Sequence, residues 1–424
     1  AWIHLLPALL LLLAVLTAVL VDRLMPPPAN MANKDEDLRR GNPAAAWKYD
    51  NLKDPDPRIN VRFDGGTERF GLEMTKETDP DNPDKRKRLT FDDHGKSNNT
   101  IVKIDGAEYT FGKTTPSNVW GGRGGNLKQK PIPGRKGYTS TMEFRAEKVE
   151  VIQHVEIVPG QSGFLDTLLV LYTIRNRDEG PHKVAIRVMM DTFIGTNDGV
   201  PFTIPGKKGF VDTKAAYSGK EIPDYIEVIE NPNDPKNPGT VARMGLRHLK
   251  LPDIELEDME KLLICRFPSP SIGWDWKPES MQPDNKEDKR DSCVAMYWPY
   301  TILNPGDMRY VAFTYGLSSL DIGGGGNALA LSVPASVQPN TDFVVTAYVW
   351  RARKGDKVKL QVPAGLKLAE GESDEKTVEE GGARSQVFWH LRSGDTGTFT
   401  LEADSGKAKA KPKQVVVKTT SIFG

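Results

Sequence analysis

The chain opens on an unbroken apolar run. Ala1 to Val21 reads AWIHLLPALLLLLAVLTAVLV, without a charged side chain and with only His4, Pro7 and Thr17 outside the strongly apolar set. As a helix rising about 1.5 Å per residue it would be roughly 31 Å long, enough to cross the hydrocarbon core of a bilayer. Asp22 and Arg23 return the chain to polar surroundings, and Pro26-Pro27-Pro28 stops any helix. A secretory signal would show a basic leading region, a shorter apolar core and a small-residue cleavage site, and none is evident. The pattern predicts a single transmembrane helix within residues 1–25, with residues 1–21 in the lipid bilayer. Residues 26–56, rich in Pro, Asn and charge, read as a tether.

Beyond the tether the pattern changes period. Val149, Val151, Val155 and Ile157 alternate with Glu150, His154 and Glu156; Leu165 to Ile174 is apolar at both parities; Val184, Ile186, Val188 and Met190 alternate with Lys183 and Arg187. These are strand signatures, half-buried where they alternate and covered on both faces where they do not. Turn residues separate them, and three such strands in close succession predict one sheet. Leu256, Met259, Leu262 and Leu263 recur at helical spacing and predict one short helix. Residues 57–321 are accordingly expected to form a mainly antiparallel domain, large enough for a double-sheet sandwich. Gly323 to Gly326 centre a Gly-rich linker over 322–327. Six strand candidates over 328–424 match the size of an immunoglobulin-like sandwich. The fold class is therefore mainly β, with a transmembrane helix, a large sandwich and a smaller one.

Charge narrows the function classes. Lys plus Arg and Asp plus Glu each number 57, so the net charge is zero, which excludes a generic nucleic-acid binder. Strict catalytic motifs are missing: no G-x-S-x-G elbow, no H-E-x-x-H pair and no phosphate-binding loop. His154, flanked by Glu150 and Glu156, is the best candidate base, although a solvated strand face accounts for the same residues. The stretch Asp191 to Phe202 sets Asp191 before a turn carrying Thr196, Asn197 and Asp198. Asp191, Asn197 and Asp198 supply the oxygens that calcium favours, while a turn held by Asx hydrogen bonds explains them equally. No other cofactor is indicated. Cys265 and Cys293 lie in one domain and could form a disulfide in an oxidising compartment or stay as buried thiols. Trp274 and Trp276 sit in a Pro- and Ser-rich loop, where the rings either pack into the core or, if exposed, contact a protein partner or stack on carbohydrate.

On the run Asp191 to Phe202, the stretch from about 55 to 320 resembles uncharacterised membrane-anchored bacterial envelope proteins. Its ending, Trp298-Pro299-Tyr300 through Asn304-Pro305-Gly306-Asp307 to Phe313-Thr314-Tyr315-Gly316-Leu317, is similar to the closing strands of galactose-mutarotase-like sandwiches. That resemblance implies a large sandwich; the histidine base and carboxylate that carry the mutarotase reaction are not placed by it in this chain. The last domain resembles bacterial immunoglobulin-like modules, which serve spacing and contact. The resulting expectation is a membrane-anchored, non-catalytic structural or interaction subunit, its β domains periplasmic or on the cell surface. Its partners would be membrane or envelope proteins. The alternatives are an envelope carbohydrate-binding protein or a mutarotase-like sugar-active enzyme.

Overall fold

The computed structural model describes residues 56–113, 123–124, 126–133, 136–160, 163–251, 254–268, 273–282, 290–320, 322–323, 328–334 and 336–419. The expected membrane helix (1–25), nearly all of the tether (26–56) and linker glycines 324–326 lie outside them. Among the described residues no helix is long and apolar enough to cross a membrane. The chain is mainly β, and the single helical element described is the one-turn 3-10 segment Gly219–Glu221.

A ten-stranded and a nine-stranded sheet enclose the main core. In the nine-stranded sheet, Leu165–Asn176 pairs with Val149–Pro159 on one side and Met308–Leu317 on the other. Leu168, Val170, Tyr172 and Ile174 point into the core, and the intervening Leu169 and Leu171 are buried as well, as the two-parity apolar pattern requires. The third strand of the expected single sheet does not join them. His182–Gly195 crosses to the ten-stranded sheet, between Cys293–Leu303 and Asn99–Ile104, so Ile174 and Val184 enter the main core from different sheets rather than side by side. Asn176 stabilises the crossing, its Nδ2 donating to the carbonyls of Gly180 (2.7 Å) and Leu303 (2.8 Å).

The short helix expected near Leu256–Ile264 is replaced by a strand, Lys261–Cys265. Leu262 and Ile264 enter the main core while Leu263 and Cys265 enter a second cluster on the opposite face. A strand buried on both sides has no polar parity, and its apolar run mimics helical spacing.

The C-terminal body holds a four-stranded and a five-stranded sheet around its own core, including Val345, Val358, Trp389 and Val415. Its pairing is antiparallel apart from Ser336–Val337, which runs parallel to Lys413–Val417. Trp389 is core. Trp350 is buried too, but on the opposite face of the sheet, where Ala328, Ala330, Tyr348 and Trp350 pack on Ile229, Val241 and Leu320 of the large body.

A polar network seals this junction. Glu227 of the strand Tyr225–Ile229 accepts from Arg243 Nη2 (3.0 Å), Ser318 Oγ (2.8 Å) and, across the junction, Tyr348 Oη (2.9 Å). Arg243 also reaches across, its Nη1 donating to Val333 O (3.0 Å) and its Nη2 to Ser332 Oγ (3.1 Å). Trp350 Nε1 donates to Pro232 O at 3.0 Å. Burial would push the Glu227 carboxyl up, but Arg243 and the hydroxyl donors outweigh it and hold the group below its ordinary range.

Candidate functional site

The outer face of the ten-stranded sheet carries the Trp274 region. Its floor comes from alternate residues of three strands: Ala185 and Met189 of His182–Gly195, Leu263 and Cys265 of Lys261–Cys265, and Cys293, Ala295 and Tyr297 of Cys293–Leu303. Arg187 stands in the same row. Sequence alternation puts it on the polar side of its strand; the structure buries it completely beneath the segment that carries Trp274 and Trp276. Its Nη1 donates to Gly273 O (2.6 Å), its Nη2 to Asn99 Oδ1, and its guanidinium lies 5.0 Å from the centre of the Trp276 ring. Trp274 N donates to Glu108 Oε2 at 2.8 Å. Arg187 thus pins the segment from below, and burial depresses its pKa because the charged form lacks water.

Of the readings open for Trp274, the packed one describes this arrangement. Trp274 is only 7% exposed, edge-on to Tyr297 at 5.5 Å and stacked on Tyr300 at 6.4 Å, and Trp276 is half-buried over Tyr297. Both rings are drawn inward because the sheet beneath them is apolar. What reaches solvent instead is the end of Cys293–Leu303. A shift in pairing between Val184 and Ile186 marks a bulge, after which Tyr300 and Ile302 continue the outward row begun by Tyr297. Tyr300 is 36% and Ile302 66% exposed. Lys183, paired with Ile302, lies 4.6 Å from the Tyr300 ring centre, and Lys103 lies 5.5 Å from that of Trp274. The result is an apolar ridge with an aromatic base and two flanking ammonium groups. The sequence signal for it was the Tyr297-to-Tyr300 cluster, which reads as packing residues; the bulge that turns Tyr300 outward leaves no mark in composition.

Cys265 and Cys293 face each other across paired strands beneath the same segment, as buried thiols with sulfur atoms 3.7 Å apart. Burial pushes the Cys293 thiol up.

Asp191, Asn197 and Asp198 are turned in different directions. Asn197 Nδ2 donates to Glu230 O (3.0 Å), and Thr196 binds Glu230 Oε1 through its N–H (2.9 Å) and hydroxyl (2.8 Å). Asp198 Oδ1 instead accepts from Gly199 N (2.7 Å) and Ser292 Oγ (3.4 Å). Asp191 is buried within the strand His182–Gly195, its Oδ1 without a hydrogen-bond partner. Asp191, Asp198 and the amide oxygen of Asn197 have the oxygen chemistry a hard cation needs, the Asn197 nitrogen alone being committed to a backbone carbonyl. Burial and the nearby Asp291 push Asp198 up to about 7, and burial pushes Asp191 well above the carboxylate range. His154 is also buried rather than solvated; its Nε2 lies 3.1 Å from Glu156 Oε2 and its Nδ1 2.9 Å from Thr139 Oγ1.

Fold and site together define a sheet-built protein of two docked bodies with an apolar ridge on the larger. No family model matches the chain, and no curated protein matches it. Among solved structures it is similar to a galactose mutarotase-like protein from Lactobacillus casei, at 12% identity and a TM-score of 0.37, over 62% of this chain and 98% of that one. It is also similar to a polysaccharide lyase, at 8% identity and a TM-score of 0.33, over 86% of this chain. The chain spans 47% of that lyase.

Proposed function

We propose that this chain is a membrane-anchored, extracytoplasmic interaction subunit, an accessory component of a membrane or envelope assembly, working without catalysis. The observation that carries the reading is the exposed ridge of Tyr300 and Ile302, backed by Trp274 and flanked by Lys103 and Lys183. Buried aromatic anchors with a polar rim are the anatomy of protein interfaces, and the cations select a partner with acidic groups around an apolar pocket. The apolar run 1–21 supplies the anchor, and the C-terminal body, read as immunoglobulin-like, extends the contact surface.

Purification of the full chain from native membranes in mild detergent tests this. The wild type is expected to bring down a defined membrane or envelope protein, and Ile302→Asp to lose it while remaining folded. A solitary wild-type chain would overturn the proposal. The half-exposed Tyr300 ring, stacked on Trp274, favours envelope carbohydrate as a second occupant; saccharide binding that Tyr300→Ala leaves unchanged would remove that reading.

A further inference from the structure

A second feature lies away from the ridge, where the two bodies meet beside their polar seal. A cleft of about 650 Å³ opens between the loop ending at Phe210 and the strand Gly382–Ser393. This volume is in the range of small-molecule sites. On that strand Arg384, Gln386 and Phe388 occur at every second residue, so all three project from one face, and all three line the cleft.

Arg384 is the unusual member. It is 8% exposed, and its Nε and Nη1 are buried without any hydrogen-bond partner. Its guanidinium is stacked 3.8 Å from the ring centre of Phe210 and 5.9 Å from that of Tyr348. Stacking occupies the faces of the guanidinium but leaves its in-plane donors unserved. Two of the nearby carboxylates are engaged elsewhere. Glu227 is held by Arg243, and Glu379 by Lys208 at 2.7 Å. Burial depresses the Arg384 pKa to about 10, so it remains charged at neutral pH. Gln386 is held beside it, its Nε2 donating to Lys207 O (2.6 Å) and Gly209 O (2.5 Å), so it has no donor left for an anion and the charge falls to Arg384. Glu227 is near enough to favour the charge, but a buried cation whose donors have no hydrogen-bonded partner is still costly, and a ligand carboxylate would remove that cost.

We propose that this cleft binds an organic monocarboxylate with an apolar or aromatic body, its charge met by Arg384 and its body by Phe210 and Phe388. A monoanion fits better than a phosphate, because a single guanidinium has donors without a partner and Glu379 and Glu380 also line the cleft. Carboxylate and guanidinium match as planar partners.

The test is calorimetric titration of the full chain in detergent with 3-phenylpropionate, its neutral amide and inorganic phosphate. The acid is expected to bind about tenfold or more tightly than the amide, and Arg384→Gln to abolish that preference. Phe388→Ala, a change at a half-buried site, is expected to weaken acid and amide alike and serves if Arg384→Gln fails to fold. Equal binding of acid and amide by the wild type, or displacement of the acid by phosphate at equal concentration, would overturn the proposal.

Discussion

Arg243 and Arg187 are both sunk into strands of the large body, and the protein treats them in opposite ways. Arg243 meets Glu227 at the junction, and the pair holds Arg243 above and Glu227 below their ordinary pKa ranges despite burial. Arg187 hydrogen-bonds to neutral acceptors under the Trp274 segment, and burial depresses it. The paired arginine joins two bodies; the lone one holds down a single loop. Breaking a buried pair leaves the partner's charge stranded, whereas removing a lone buried cation also removes its desolvation cost.

The largest effect is therefore expected at the junction. Arg243→Met should cost about 3–5 kcal/mol, read as a lowered denaturation midpoint, because Glu227 is left buried and charged. The double variant Arg243→Met with Glu227→Gln should recover part of that loss, and a double variant no better than the single would break the pairing account. The contribution of Glu227 is present above its unfolded pKa of about 4.3 and is lost as pH falls through the lower native value. Acid should thus loosen the junction in the wild type more than in Glu227→Gln.

A smaller loss, about 1–3 kcal/mol, is expected for Arg187→Met, with the tryptophan emission red-shifted as the segment lifts from the sheet. A cost equal to that of Arg243→Met would erase the distinction between the two arginines.

Asp198 sharpens the comparison from the acidic side. Its native pKa of about 7 lies above the unfolded value of about 3.9, so the native state binds the extra proton and stability falls as pH rises from about 4 to 7. Asp198→Asn should make the fall in melting temperature over that window shallower, with Asp191 supplying the remainder, and an unchanged slope would show that Asp198 is not responsible.

Ile302→Asp should have the smallest effect on stability, within about 0.5 kcal/mol, because the side chain is mostly in water. A large loss would mean that the ridge is structural rather than a contact surface.

Much of the strand inventory was legible. The alternations at Val149–Ile157 and Val184–Met190 and the two-parity run at Leu165–Ile174 all form strands. The failures share a cause. Leu256–Ile264 looks helical, and the loop around Trp274 leaves core and contact equally open, because hydrophobic period reports how many faces of a segment are covered but not what covers them. Arg187 misleads for the same reason: an arginine on the polar parity is normally solvated, and only the segment folding over it makes it buried.

Local order was written in the sequence: mainly β structure, its turns, and two bodies each with enough apolar surface for a core. Those properties depend on backbone propensity and on periods of a few residues, which any window of the chain carries. The tertiary structure decided which sheet His182–Gly195 joins, which arginine finds a carboxylate, and which aromatic rings face water. Each of these depends on groups far apart in the chain coming within a few ångströms, and a charge is priced by its surroundings rather than by its place in the sequence.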